Sequence, residues 1–431
     1  MNDKLLKLGA IGLLPLALAT PSAHGQLRQN SPPGTLIELP IPVEEEIEDR
    51  LANAPWDWGS VRVQPRFSIG NLVYNANVFD SGDPDSEQDD LRGSISAGIE
   101  TYLPVGPDVV LTSFVAPSYS WWQKNEQLRR FNMNYGAGVF GFFNRLETQL
   151  TASRNEFEEP LNSEAKTPVT TRQDSIRFDG SVTLHGPWQL FGSLAYVETR
   201  YPESEALTAQ VPNLFRLERD ENVSSMGVAY DVPGRFNLGI GWRRVESDFL
   251  DADQARSNSG NYPIARIRLP GNRVQLNAEI GFRLLEFEDG AGLQETEEAI
   301  GTLQLTVPLA TRTALTFYSG RDIVYSAIDE SSYFTGGRSG VGLGWGSPQS
   351  VRFSIFAEAG KDDYESAGGV NLDRVDEGES YGVALTLPLR WGLEALFGAT
   401  ETTIDSNFDE FDRSTTELLG TVRLSIQGFS Y

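Results

Sequence analysis

Apolar and polar residues alternate with a period of two over much of this chain. The clearest stretch is Arg273–Leu284, in which every second residue from Val274 onward is apolar and the residues between are polar, charged or glycine. This period predicts a β-strand with one apolar and one polar face. In a membrane barrel the apolar face meets lipid and the polar face lines a water-filled lumen, whereas in a soluble sandwich the apolar face meets a second sheet. For the barrel we expect Ile280 and Phe282 to face lipid, and Arg273 and Arg283 to be solvated in the lumen.

The connections between the alternating segments are of two kinds, which favours the barrel. One kind is short and rich in proline and glycine, the residues of tight turns, and the other is longer and more polar. The short ones lie near residues 103–107, 143–144, 185–187, 231–234, 270–272, 308–311, 346–348 and 388–390. The long ones lie near 80–90, 123–127, 156–171, 201–214, 250–260, 286–296, 327–334, 362–377 and 405–413. Short turns on one side and long loops on the other are typical of outer-membrane barrels. The sequence therefore predicts an all-β, transmembrane, antiparallel up-and-down β-barrel of about 18 strands, with 16 as the alternative count.

The first 58 residues precede this pattern. Residues 1–25 combine Lys4 and Lys7, an apolar segment and a small-x-small site before Gln26, which predicts a secretory signal peptide. Residues 26–58 are rich in proline and acidic side chains and are predicted to form a periplasmic linker. The barrel is then expected over 59–431. An even number of strands places both of its termini in the periplasm of a Gram-negative cell envelope.

Composition narrows the classes of function. The chain has 35 Lys and Arg against 60 Asp and Glu, a formal net charge of −25, which argues against a nucleic-acid partner. It has no cysteine, so disulfides, thiolate metal sites and a lipid anchor on cysteine are excluded. No metal site and no cofactor is predicted.

Charged residues on the inward phase of the strands are the candidate lumen residues. They are Arg62, Arg66, Arg92, Arg145, Arg177, Arg266, Arg268, Arg273, Arg283, Arg352, Arg423, Glu147, Asp179, Glu279 and Glu358. Two interpretations stand together. The residues can brace the wall as ion pairs, or they can select solutes by charge and by the planar hydrogen bonding of guanidinium groups.

Aromatic residues at the segment ends are candidate anchors at the membrane–water boundary. They are Trp56, Trp58, Trp121, Trp122, Trp188, Trp345 and Trp391. The chain ends in Phe429-Ser430-Tyr431, and Phe429 with Tyr431 is similar to the terminal sorting signal that the barrel assembly machinery reads.

The run Arg66–Phe79 is followed by the acidic stretch Asp80–Asp90. Within it, Tyr74, Asn77, Val78 and Phe79 have the spacing of a Tyr-x-x-Asn-Val-Phe motif. Together with the signal peptide and the final strand, this opening resembles the β-barrel porin type two family of outer-membrane proteins. The resemblance implies an outer-membrane pore or an export role, with no catalytic residues.

Catalysis has little support in the sequence. Of the two histidines, His24 leaves with the signal peptide and His185 lies in a Pro-Gly turn. Acidic pairs such as Asp362-Asp363 lack the ligand spacing of a calcium loop and are interpreted as solvated. We therefore expect a non-enzyme.

Two functions of different classes remain open. The first is a porin-like pore for diffusion or export of polar or charged solutes, saccharides or a polysaccharide among the candidates. The second is a non-conducting structural or adhesion barrel with acidic surface loops. Outer-membrane lipid and, during biogenesis, the barrel assembly machinery are the expected partners of either.

Overall fold

The computed structural model describes residues 43–425 with internal gaps. The gaps are residues 77, 79–87, 161–167, 203–213, 252–255, 272, 288–295, 328–330, 348–349, 367–372, 390–392 and 409–410. The predicted signal peptide, most of the linker, Trp391, Phe429 and Tyr431 lie outside the described residues. Arg423 lies in the last strand, but its side chain is not among those described.

One α-helix and nineteen strands make up the described chain. The helix α1 is Val43–Asn53, and the short strand β1 is Trp56–Trp58. The long strands are β2 Val61–Asn75, β3 Asp90–Pro104, β4 Val109–Trp122, β5 Arg130–Phe143, β6 Leu146–Pro160, β7 Pro168–Thr183, β8 Trp188–Arg200, β9 Arg219–Val232, β10 Phe236–Phe249, β11 Asn258–Pro270, β12 Gln275–Phe287, β13 Thr296–Ala310, β14 Thr313–Tyr325, β15 Ser331–Trp345, β16 Arg352–Ser366, β17 Val375–Pro388, β18 Leu393–Ser406 and β19 Arg413–Ser425. Two 3₁₀ helices, Glu126–Leu128 and Leu214–Leu217, lie in long connections.

The eighteen long strands close into a barrel. Each pairs antiparallel with the next, and β19 pairs with β2, as in the register Leu424↔Phe67. The short β1 pairs only with the beginning of β2, as in Trp56↔Val63. The predicted fold class and the strand count of 18 are therefore confirmed. Closure removes every open edge, which is what lets strands cross a hydrocarbon layer.

The alternation in sequence becomes two physically different faces. On β12, the side chains of Ile280 and Phe282 are 59% and 55% exposed on the outside of the barrel. Arg283, the residue after Phe282, points inward and is only 2% exposed. The outward residues of this strand stay apolar from Leu276 to Leu284, eight residues apart. At about 3.4 Å per residue and a tilt of about 40°, this stretch spans about 21 Å along the barrel axis, close to a lipid-facing band about 25 Å tall.

The two ends of the barrel differ as the connections predict. The end with the short connections, hereafter the turn end, has reversals at Gly106 (φ 74°) and Gly234 (φ 70°), a backbone region that favours glycine. The opposite end, with the longer connections, is the loop end. There the outer face changes from apolar to charged, with ion pairs Arg154–Asp174, Arg200–Asp220 and Arg244–Glu246. Charge next to lipid is costly at mid-membrane and cheap at the boundary, so this row marks the loop-end limit of the apolar band.

Helix α1 packs against the inner wall near the turn end. Its Ile47 is buried against Tyr102, Val110 and Phe140 of β3, β4 and β5. Its Arg50 donates to Glu100 Oε2 and to Tyr102 Oη, at 3.0 Å in each case. Part of the segment predicted as a linker therefore lies within the mouth of the barrel.

Three of the predicted site residues occupy other positions than the sequence suggested. Arg145 lies in the two-residue turn between β5 and β6, and Arg273 lies in the turn before β12, so both are exposed and off the barrel wall. Trp122 is not a boundary anchor, because its position in β4 faces inward and it is only 2% exposed. Its Nε1 donates to Glu158 Oε1 at 3.1 Å, which satisfies the indole inside the barrel.

Candidate functional site: the lumen

The hairpin of β14 and β15 bends into the barrel at the loop end. Every residue from Asp322 to Ala327 and from Ser331 to Thr335 is buried, although a strand on the wall exposes alternate residues. Tyr325 Oη lies 3.0 Å from Ser247 Oγ of β10. These two strands are four apart and thus separated by about 19 Å along the wall. The contact is therefore made across the lumen.

A polar group fixes one face of this hairpin. Tyr325 Oη also lies 3.2 Å from Asn258 Oδ1 and accepts a hydrogen bond from Arg283 Nη2 at 3.3 Å. Arg283 Nη1 lies 3.9 Å from Asp322 Oδ1. The inward phase predicted for Arg283 places it here, but hairpin residues rather than water surround it.

Arg256 holds the tip of the hairpin. Its Nη1 donates to the carbonyl of Ser326 at 2.7 Å and its Nη2 to the carbonyl of Ser331 at 3.1 Å. Arg256 is buried, so these charge-assisted hydrogen bonds satisfy two carbonyls that would otherwise be costly to bury.

Apolar residues from many strands meet the hairpin and form the loop-end cluster. On one face, Phe249 makes an edge-to-face contact with Tyr325, with ring centroids 4.8 Å apart. On the other face, Phe334 stacks on Tyr364 of β16 at 4.7 Å. The members of the loop-end cluster are Val78, Trp122, Leu128, Val169, Leu214, Leu217, Phe249, Leu285, Ile323, Tyr325, Ala327 and Tyr333. The hairpin and this cluster narrow the lumen at the loop end.

Ion pairs brace much of the inner wall. Arg177 pairs with Asp179 at 2.5 Å, Arg66 with Glu100 at 3.2 Å and Arg243 with Glu279 at 2.7 Å. Other contacts are Arg62–Asp57, Arg352–Glu394, Arg338–Glu358 and Arg92 over the ring of Trp122. Glu147 is exposed near the beginning of β6. Most of the predicted lumen charges are thus close to an opposite charge, as the bracing interpretation expects.

Arg266 and Arg268 of β11 are different. Both are on the inward phase and half-buried, and among the residues that the structure describes neither has an ion-pair partner. The guanidinium carbon of Arg266 lies 3.8 Å from the ring centroid of Phe191 on β8. These two side chains therefore place positive charge on the inner wall that is offset only at longer range, by Glu279 and Asp231.

Several residues of this site were missed from sequence. Arg256 and Tyr325 lie in or beside stretches predicted as external loops, at 250–260 and 327–334. A signal was present, because Ile323-Val324-Tyr325 and Tyr333-Phe334 are apolar on both faces, unlike a strand between lipid and water. Phe191 lies in a stretch, Phe191–Val197, with the same departure from alternation.

Within the described part of the chain, no group of three or more His, Asp or Glu side chains is arranged to hold a metal ion. Of the helices in that part, none has the length and hydropathy needed to span a membrane. His185 is exposed in the turn between β7 and β8.

The boundary anchors and the sorting signal are placed only in part. Trp56, Trp58, Trp188 and Trp345 are exposed, and Trp121 is half-buried on the outward phase of β4. The side chains of Trp391, Arg423, Phe429 and Tyr431 lie outside the described residues.

Comparison with known proteins identifies the fold. No family model matches the chain, and no curated protein matches it. The structure of the outer membrane protein opdK from Pseudomonas aeruginosa is similar, with a TM-score of 0.52 and 12% identity over 84% of this chain and 98% of that one. OccK2 (OpdF) from the same species gives a TM-score of 0.50 and 10% identity over the same shares. OccAB3 from Acinetobacter baumannii gives 0.49 and 12%, again over 84% and 98%. At these identities the likeness to opdK and OccK2 (OpdF) shows that the chain shares the closed barrel fold of those two structures.

Proposed function

We propose that the protein is an outer-membrane channel that lets small polar and charged solutes cross through its lumen. The proposal rests mainly on Arg266 and Arg268, which lie half-buried on the inner wall of an 18-strand barrel. Neither arginine has an ion-pair partner among the residues that the structure describes. Barrels of 16–18 strands are wide enough for an aqueous channel. A lumen packed shut would leave such charges desolvated and unpaired, at a cost of several kcal/mol each.

The outer surface supports a membrane location. Its apolar band is about as tall as the hydrocarbon layer that such barrels span. Trp188 and Trp345 are exposed on it, as amphipathic rings at a membrane boundary are. In this proposal residues 1–25 direct export, the barrel assembly machinery inserts the barrel, the loop end faces outward, and both barrel termini are periplasmic.

Transport rather than catalysis is the proposed activity, and the solute is not specified by the fold. The resemblance to the β-barrel porin type two family, of which Tyr74 and Val78 are part, fits this proposal. Sugars remain one candidate class because the inner wall also carries hydroxyl and amide groups, among them the hydrogen-bonded pair Thr306 and Thr316.

A second candidate has an observation of its own. The loop-end cluster and the inward hairpin close much of the lumen with buried apolar side chains. If these contacts persist, the protein is a non-conducting barrel whose acidic loops meet external partners.

Single-channel recording in planar bilayers separates the two candidates. Purified, heat-modifiable barrel should give discrete current steps, and proteoliposomes should admit small neutral sugars in a swelling assay. Folded protein that inserts but gives neither current nor swelling would exclude the channel and favour the closed barrel.

A further inference from the structure

We propose that Arg266, Arg268 and Phe191 form an oxyanion-binding subsite on the inner wall, suited to a solute with a carboxylate or phosphate group. This inference rests on the proposed function and names the class of its solute. It goes beyond a generally charged lumen, because it assigns binding to one place on β8–β11.

Arg266 is held in a fixed pose by the strands beside it. A Cβ on Gly239, the residue opposite it on β10, would lie 2.6 Å from its Nε and 2.9 Å from its Cγ. The side chain therefore lies flat across β10 in space that only glycine leaves open. Its guanidinium then stacks on Phe191 at 3.8 Å.

Phe191 is seated in the same way. A Cβ on Gly227 would lie 2.3 Å from Phe191 Cζ, and one on Gly241 would lie 3.1 Å from it. Gly227, Gly239 and Gly241 all lie on the inward phase of β9 and β10. The three glycines thus form a shallow recess, in which the guanidinium of Arg266 stacks on the ring of Phe191.

The nearby carboxylates offset the charge of the two arginines only in part, because Glu279 and Asp231 attract them without lying within ion-pair distance. Glu279 is directly opposite Arg266 in the β11–β12 register, but its Oε1 accepts from Arg243 Nη1 at 2.7 Å. Asp231, on the inward phase of β9, makes no ion pair with either arginine within the described structure. The group therefore has three arginines facing two carboxylates.

A guanidinium stacked on an aromatic ring is preorganised to bind an oxyanion. The ring covers one face and fixes the plane, so the N–H donors at its edge are presented with little further loss of conformational freedom. The Nε of Arg266 is buried against β10, whereas its two Nη atoms are not buried and have no hydrogen-bond partner in the described structure, so they are the donors that a solute can reach. A planar carboxylate or a phosphate can accept two parallel hydrogen bonds from such a group, and Arg268 adds a second charge two residues away.

Three variants and a matched control test the subsite. Arg266→Gln and Arg268→Gln each remove one charge, and Gly239→Ala displaces Arg266 without changing any charge. Arg273→Gln is the control, because it removes one arginine in the β11–β12 turn, exposed and off the wall. The full-length protein, refolded in detergent micelles, is titrated with inorganic phosphate and with acetate by calorimetry, and the same proteins are studied in planar bilayers under a KCl gradient.

We expect saturable binding of both anions, weakened about tenfold by Arg266→Gln and similarly by Gly239→Ala, and unchanged in Arg273→Gln. Chloride selectivity should fall in the Arg266 and Arg268 variants. Binding of phosphate alone would restrict the subsite to phosphorylated solutes, and binding of acetate alone to carboxylates, each supporting the site.

Failure of this inference is distinct from failure of the channel. If the protein conducts but binds neither anion, or if Arg273→Gln weakens binding as much as Arg266→Gln, the subsite is wrong and the channel stands. If Arg266-dependent binding is found in a barrel that carries no current, the subsite stands and the channel is wrong.

Discussion

Ile280 and Arg283 lie three residues apart on β12, on opposite faces of the barrel wall. Ile280 is among the most exposed apolar residues and Arg283 among the most buried charged ones, an inversion of the rule for soluble proteins. The inversion is explained if lipid is the solvent of the outer face. Arg283 is tolerated inside because Tyr325 and Asp322 lie within reach of its guanidinium.

Replacing Ile280 with arginine places a charge against hydrocarbon near the middle of the apolar band. We expect the free energy of unfolding to fall by about 2–4 kcal/mol. The measurement is urea-induced unfolding in lipid vesicles. Glu286→Arg is the control, because Glu286 is on the same outward phase but beyond the band, and its stability should change by less than about 0.5 kcal/mol. Equal losses in both variants would mean that the outer face is not a lipid face.

At the scale of elements, β14 and β15 are the strands that leave the regular barrel. Their loop-end halves are apolar on both faces and fold inward, where Arg256 holds the tip through two carbonyls. Because Arg256 binds both arms of the hairpin beside its tip, changing that side chain should loosen the hairpin there. Because the hairpin narrows the lumen, single-channel conductance reports whether the hairpin is folded inward.

The double variant Arg256→Cys/Ser326→Cys tests the role of the hairpin. Because the natural chain has no cysteine, a bis-methanethiosulfonate, which forms a reducible disulfide with each thiol and releases sulfinate, can join only these two positions. Loss of the Arg256 contacts should raise single-channel conductance, cross-linking should lower it again, and reduction should reverse that change. The single variant Ser326→Cys, which keeps Arg256, is the control and should conduct like the natural protein. Conductance that is the same in all states would show that the hairpin does not narrow the conducting path.

For the whole molecule, the difference between the two ends predicts the orientation in the membrane. The turn end has tight reversals, and the loop end has the longer connections and a charged outer rim. An outward loop end is the arrangement typical of outer-membrane barrels.

Cysteine labelling of intact cells tests that orientation. Glu126→Cys, in the exposed 3₁₀ helix at the loop end, should react with a membrane-impermeant maleimide. Arg235→Cys, in the exposed β9–β10 turn, should react only after the outer membrane is permeabilised. The opposite pattern would invert the barrel.

The sequence by itself determined the fold class. Strands with one apolar and one polar face, joined by turns, can cross a membrane only as a closed barrel. It also determined which face each residue of a regular strand occupies, since a shift of one residue would place charge in lipid. Arg266, Arg283 and Ile280 all follow from that rule.

Only the tertiary structure decided what surrounds the inward residues. Whether Arg283 meets water or Tyr325, whether Trp122 anchors at a boundary or packs inside, and whether Glu279 pairs with Arg243 or Arg266 depend on contacts between strands distant in sequence. The alternation of apolar and polar residues along a strand is fixed by the lipid outside the wall and the water inside it. The inward bend of β14–β15 is instead fixed by packing across the lumen, and the pose of Arg266 by Gly239 and Phe191 on nearby strands. The sequence marks the hairpin as a departure from alternation but does not say what it packs against.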